Sequence, residues 1–207
     1  MPVADVNIDS EISDTELLQR HLAGDQAAFD ALVSRYRREL YNFLVRFTGD
    51  MNLAEDVFQE TFLQLHLSAA AFDPSKRLKP WLFTIAANKA RDAMRSRWRR
   101  SAAPLDATMG GENAEGISFS DLMPSDIPPP DAASLNLETR QAVQDVVNSM
   151  PENLRVVLLL SYFNEFPYKE IADMLDVPLG TVKSRLHAAV KVFAKKWKAA
   201  MERRDHD

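Results

Sequence analysis

Residues 166–197, FPYKEIADMLDVPLGTVKSRLHAAVKVFAKKW, read as two helices meeting at a tight turn. The spacing predicts a first helix over about Tyr168 to Leu175, with Ile171, Ala172 and Leu175 on its inner face. Asp176-Val177 breaks the period, and Pro178 suits the first turn of a new helix, where its missing N–H costs nothing. In that second helix Val182, Leu186, Val190, Phe193 and Trp197 recur at helical spacing as one apolar stripe. Lys183, Ser184, His187 and Lys191 fall on the other face. A small alanine at the crossing and a cationic outer face describe a helix-turn-helix. A plain helical hairpin with a solvated basic face has the same pattern, so this stretch alone leaves both readings open.

Upstream, the periodicity gives more helices. A short one is expected over Asp14 to His21, ended by Gly24-Asp25. A second runs from about Gln26 to Phe47, with Phe29, Leu32, Val33, Tyr36, Leu40, Phe43, Leu44 and Phe47 inward. A third extends to about Leu67, opened by Asn52 and Glu55 at capping-box spacing, with Leu53, Val57, Phe58, Phe62 and Leu65 apolar. Pro74 forces a turn after Phe72 by pushing Asp73 out of the helical region. A fourth helix, from Leu78 or Pro80 to Arg99, starts apolar (Trp81, Leu82, Ile85, Ala86, Met94) and ends basic. Ser149 and Glu152 again have capping-box spacing, with Pro151 opening an apolar helix from Leu154 to Phe163.

The 207-residue chain allows one or two domains, and its few glycines and helical periods predict an all-α protein. It has no cysteine, which excludes disulfides and thiolate metal sites and fits a reducing compartment. The acidic N-terminus lacks the apolar run of a signal peptide, and no stretch reaches the ~20 apolar residues of a membrane span, so no membrane insertion is expected.

A net charge of −5 argues, taken whole, against nucleic acid. The charges are segregated, however. Residues 76–100 carry nine basic side chains against Asp92, and residues 181–204 carry eight against Glu202. Between them, residues 104–131 hold six acids and no base. Two basic poles joined by an acidic strap is a pattern of nucleic-acid binders. Prolines and glycines crowd the strap, which reads as a linker. The organisation expected is therefore two small helical domains, residues 13–100 and 134–200, joined by a flexible acidic linker over 101–133.

In the first domain, WLFTIAAN (81–88) followed by Lys89, Arg91 and Arg95 mixes aromatics, cations and an amide. Cations neutralise phosphates, exposed aromatics stack on unpaired bases, and an amide such as Asn88 reads a base edge. Trp81, Leu82 and Ile85 fit a core as well as a base platform, so Phe72, in the turn, is the better base-contacting aromatic. Glu55, Asp56, Gln59 and Glu60 line the polar side of the third helix. No histidine joins them at ligand spacing, which leaves an acidic docking surface or a solvated face, and no metal site.

Three segments now carry a family resemblance: AEDVFQETFLQLH (54–66), FDPSKRLKPWLFTIAANKARDAMR (72–95) and MPENLRVVLLLSYFNEFPYKEIADMLDVPLGTVKSRLHAAVKVF (150–193). In that order they resemble the bacterial RNA polymerase sigma factors of the extracytoplasmic function group. The resemblance implies that Asp56, Gln59, Glu60 and Phe62 belong to the helix that docks on the clamp coiled coil of the polymerase's largest subunit. It implies that Phe72, Lys76, Arg77, Lys79, Asn88, Arg91 and Arg95 capture the melted strand at the −10 element of promoter DNA. Thr181, Lys183, Ser184, Arg185 and His187 match the recognition helix for the −35 element. His187 and Ala188 stand where familiar members often carry an aromatic and an arginine, and Thr84 replaces a common arginine, so the promoter sequence does not carry over.

The expected protein is a bacterial cytoplasmic sigma factor. It has no catalytic residue and no cofactor, and its partners are RNA polymerase core, promoter DNA and an anti-sigma factor. One alternative is a helix-turn-helix regulator that does not bind polymerase core. Such a protein would dimerise on palindromic half-sites and carry a ligand or phospho-acceptor domain in its first half. Another is a nucleic-acid enzyme, against which stand the missing cysteine and the absence of clustered carboxylates beside a basic groove.

Overall fold

The structure, a computed structural model, describes residues 12–101 and 137–204, all helices and connecting turns with no strand among them. The expectations for the N-terminal acidic stretch and for the linker fall outside the described residues.

The first domain contains α1 (Asp14–Leu22), α2 (Gln26–Thr48), α3 (Met51–Ser68), a 3-10 turn (Ala69–Ala71) and α4 (Leu78–Ser101). Ser13 caps α1 by accepting from the Glu16 N–H, and Asp25 caps α2 by accepting from Ala27 and Ala28. The expected Asn52–Glu55 capping box is not formed. Gly49 closes α2 in the left-handed region at φ 73, which leaves Asp50 extended and already in the capping position. The Asp50 carboxylate accepts from the Leu53 N–H at 2.9 Å, so α3 begins earlier than the spacing suggested. Leu32, Leu40, Phe43, Leu44 and Phe47 of α2 meet Val57 and Leu65 of α3 and Leu82 and Phe83 of α4, all fully buried. Each such side chain contributes about 1.5–3 kcal/mol by leaving water. Ala86, Ala87 and Ala90 are also fully buried, and their small size lets α4 lie close on its neighbours. The sequence reading did not assign Phe83 to the core. It sits at its centre, 5.3 Å from Phe43 ring to ring.

The second domain contains α5 (Leu137–Asn148), α6 (Glu152–Leu158), α7 (Tyr168–Leu175) and α8 (Leu179–Arg204). From Leu159 to Phe163 the chain continues α6 as a π-helical turn, closed by an Asn164 N–H to Leu159 carbonyl bond of 3.1 Å. The expected Ser149–Glu152 box is absent too. Pro151 occupies the cap with φ −54, and its carbonyl accepts from Leu154 and Arg155, while the Ser149 hydroxyl turns back to the Val146 carbonyl at 2.7 Å. The helix-turn-helix is present. Asp176 closes α7 in the left-handed region, and the Val177 N–H returns to Ala172 at 3.1 Å. Pro178 stands just before α8 and accepts from Thr181 and Val182. Val182, Leu186, Ala189, Val190, Phe193 and Trp197 are buried on the inner side of α8, as the stripe predicts.

Candidate nucleic-acid interface

The approach to α4 is built by the 3-10 turn and the loop after it. Phe72 leaves the turn in an extended conformation and packs on Trp81, ring centroids 4.9 Å apart. Asp73 accepts from both the hydroxyl and the N–H of Ser75, which holds its carboxyl below the usual carboxylate range and fixes the loop. Lys76 and Arg77 follow, exposed, and Lys79 sits half-buried in the first turn of α4. Asn88 and Arg95 are exposed on the body of the helix, and the Arg91 guanidinium donates to the Asn88 side-chain oxygen at 3.2 Å. The sequence-predicted −10 residues therefore lie along α4 and its leading loop.

Several of them also touch the second domain. Arg77 pairs with Glu170 of α7 at 2.9 Å, and Arg91 pairs with Glu152 of α6 at 3.3 Å. Burial draws the Arg91 pKa down, opposed by Glu152, with Arg95 and Arg185 adding repulsion. Lys79 is held by Glu39 of α2 at 2.6 Å, below the ring of Phe166. Around these pairs the domains interlock. Phe83 meets Phe166 at 5.1 Å, Arg46 lies 4.6 Å from the Phe163 ring centre, and Asn164 donates to Glu39 at 3.2 Å. The C-terminal carbonyls of α2, which have no intrahelical donor, are capped from the other domain. Arg155 donates to Phe47 at 2.8 Å while also donating to Asn148 and Met150, and Gln144 reaches Arg46. A basic side chain there also suits the negative end of the helix dipole.

On α8, Lys183 is exposed at the N-terminal end, while Thr181, Ser184, Arg185 and His187 are half-buried. The Ser184 hydroxyl donates to the Thr181 carbonyl at 3.1 Å. Arg185 is near enough to Arg91 for the two cations to repel each other.

Asp56, Gln59 and Glu60 are exposed on α3. Phe62, grouped with them by the resemblance, is 6% exposed and edge-packed between Phe29 and Phe58, so it supports the face from beneath. Sequence reasoning missed Leu63 and Leu67, which are 58% and 69% exposed. Counted at about 100° per residue, both share the Asp56–Glu60 side of α3. That phase was the available signal. Among the described residues no group of three or more histidine, cysteine or acidic side chains is placed to hold a metal. No described helix is long and apolar enough to cross a membrane.

Comparison with known proteins identifies the family of both helical domains. Residues 32–100 match Sigma-70 region 2, and residues 140–192 match Sigma-70 region 4. The chain is 34% identical over 182 residues to the RNA polymerase sigma-H factor of Pseudomonas aeruginosa, covering 88% of this chain and 92% of that one. It is 31% identical over 172 residues to the ECF RNA polymerase sigma factor SigW of Bacillus subtilis, covering 83% and 90%. Among solved structures, the sigma factor RpoE in complex with the anti-sigma factor NepR from Bartonella quintana has a similar fold. Its TM-score is 0.62 at 24% identity, over 82% of this chain and 96% of that one. The chain belongs to the sigma-70 family, as an RNA polymerase sigma factor of the extracytoplasmic function group.

Proposed function

We propose that this sigma factor divides promoter reading between two faces of one chain, with residues 13–100 serving polymerase core and the −10 element and residues 134–200 serving the −35 element. The observation that carries this is a pair of cationic, amide- or hydroxyl-bearing helix faces, on α4 and α8, in a chain of net negative charge. On α4, Asn88 reads an extruded base by its amide, with Phe72 beside it, while Lys76, Arg77, Lys79, Arg91 and Arg95 neutralise phosphates. On α8, Lys183, Ser184 and His187 read the major groove, and Thr181 and Arg185 steady the backbone. Asp56, Gln59 and Glu60, with Phe62 beneath them, present an acidic face to the clamp coiled coil of polymerase core.

The protein carries out no covalent step. It supplies placement: two weak DNA contacts tethered in one chain act together, so neither has to bind tightly alone. Its site of action is the bacterial cytoplasm, where an anti-sigma factor is its natural antagonist. Run-off transcription with purified polymerase core and a randomised promoter library tests the reading. Core plus this chain should enrich a bipartite promoter that core alone ignores. Failure to bind core, or enrichment of one palindromic site, would sink it.

A further inference from the structure

Of the chain's three tryptophans, Trp197 is buried and Trp81 is half-buried against Phe72. Trp98 is 58% exposed, near the C-terminal end of α4. So large an indole at the surface of a well-packed helix contributes little to the core, and its surroundings point to a ligand. Asn88, Arg91, Arg95 and Trp98 lie at i, i+3, i+7 and i+10, within an arc of about 80° on the helix. Trp98 therefore continues the α4 face on which Asn88 and Arg95 are exposed. Arg95, three residues before the indole, is exposed on the same side of the helix, whereas Arg97 turns aside to Asp50. Beside the indole is an open cleft of about 360 Å³, lined by Gly49, Leu53 and Met94 among others.

An indole that continues a row of guanidinium groups fits a base flanked by phosphates, since stacking is tolerant of sequence and the cations follow the backbone. We propose that Trp98 stacks on a second unpaired base of the melted promoter strand, at some distance from the one held at Asn88. Ten residues of helix separate the two side chains by about 15 Å, equal to about four stacked base steps. Trp98 thus marks one end of the melted segment, and Arg91 and Arg95, between it and Asn88 on the same face, hold the phosphates that lead to it. Charge complementarity and continuity with the Asn88 face select this occupant over an apolar peptide. The inference rests on the reading that α4 captures the melted strand.

The test uses holoenzyme and a fork DNA from the enriched promoter, duplex except for a single non-template strand across the −10 element. A series of these probes carries one abasic site each. Trp98→Ala should weaken binding of the intact probe by about 5- to 150-fold, the range that base–aromatic stacking supplies. On the probe lacking the contacted base, mutant and wild type should bind alike. Trp98→Phe should keep most of the affinity, which separates stacking from a folding defect. A loss equal at every abasic position, or none at any, overturns the proposal. Asn88→Ala on the same series tests the underlying reading independently. If Asn88 couples to one position and Trp98 to none, the Trp98 proposal alone falls; if neither couples to any, the strand does not lie on α4.

Discussion

In this arrangement two arginines assigned to the melted strand are ion-paired with the other domain, so closure and DNA capture compete for the same side chains. The double substitution Glu152→Gln with Glu170→Gln removes both acids while keeping their shape. The Arg91–Glu152 pair is the drier of the two, its side chains 18% and 37% exposed, against 66% and 27% for Arg77–Glu170. Partly exposed pairs contribute about 0.2–1 kcal/mol each, so losing both shifts the closed form by about 0.5–2 kcal/mol. That is a roughly two- to thirtyfold change in the ratio of open to closed molecules. Apparent affinity scales with the competent fraction, so the free protein should bind a labelled single-stranded −10 oligonucleotide more tightly by up to that factor. Fluorescence anisotropy measures the affinity, and energy transfer between dyes placed on α3 and α8 measures the opening. Removing negative charge also favours DNA non-specifically. The control is therefore Glu165→Gln with Asp173→Asn, exposed acids of the same domain outside these two pairs. If the test and control variants gain equally, or the distance between the dyes does not change, the ion pairs do not gate the α4 face.

Other substitutions test other parts of the structure. Charge reversal of Asp56 and Glu60, exposed together on α3, should weaken binding to polymerase core by more than ~2 kcal/mol in a holoenzyme titration, and Leu63→Ala with Leu67→Ala should weaken it too. DNA binding by the free protein should not weaken. Gly49→Ala places a Cβ 3.0 Å from the Asn148 side chain at a left-handed φ of 73, and should lower stability by about 1–2 kcal/mol in a denaturant melt. On α8, Lys183→Ala should lose ~1–3 kcal/mol at one base position of a −35 selection, whereas Arg185→Ala should weaken all sequences alike and flatten the salt dependence. An unchanged sequence logo for Lys183→Ala, Ser184→Ala and His187→Ala would remove that face from promoter reading.

Most of the fold was legible because periodicity and burial agree: the Val182–Trp197 stripe and the inward residues of α2 lie where their spacing put them. Helix starts were less legible, for a local reason. Both expected capping boxes failed because a neighbour decided the boundary first: Gly49 by its left-handed φ, and Pro151 by its fixed one. A capping signature records which side chains are able to cap, while the backbone of the preceding turn decides which residue is in position to do so. On α3 the reading passed over Leu63 and Leu67, whose phase sets them with Asp56 and Glu60 and not with Val57 and Leu65.

The contact between the domains was not legible at all, and its chemistry explains why. Arg77 and Arg91 satisfy a DNA motif in sequence, and nothing in a motif marks that a cation already has an acidic partner 61 to 93 residues away in the chain. Arg155 is more opaque still. It sits in an apolar helix, where a single guanidinium looks like a solvated interruption, yet it caps the end of α2 from the other domain. Such a contact leaves no periodicity, because it is one side chain meeting carbonyl groups that every helix end exposes. The geometry also gives the ion pairs a consequence that the motifs lack. Phosphates and carboxylates present the same kind of acceptor to a guanidinium, so Glu152 and Glu170 occupy arginines that the proposed reading gives to the melted strand. On the proposed reading such a cation reports strand capture only in the open molecule, and substituting Arg91 alone removes a DNA contact and a closing contact together. Its net effect on promoter opening should therefore be smaller than that of Arg95, which is exposed on the same face.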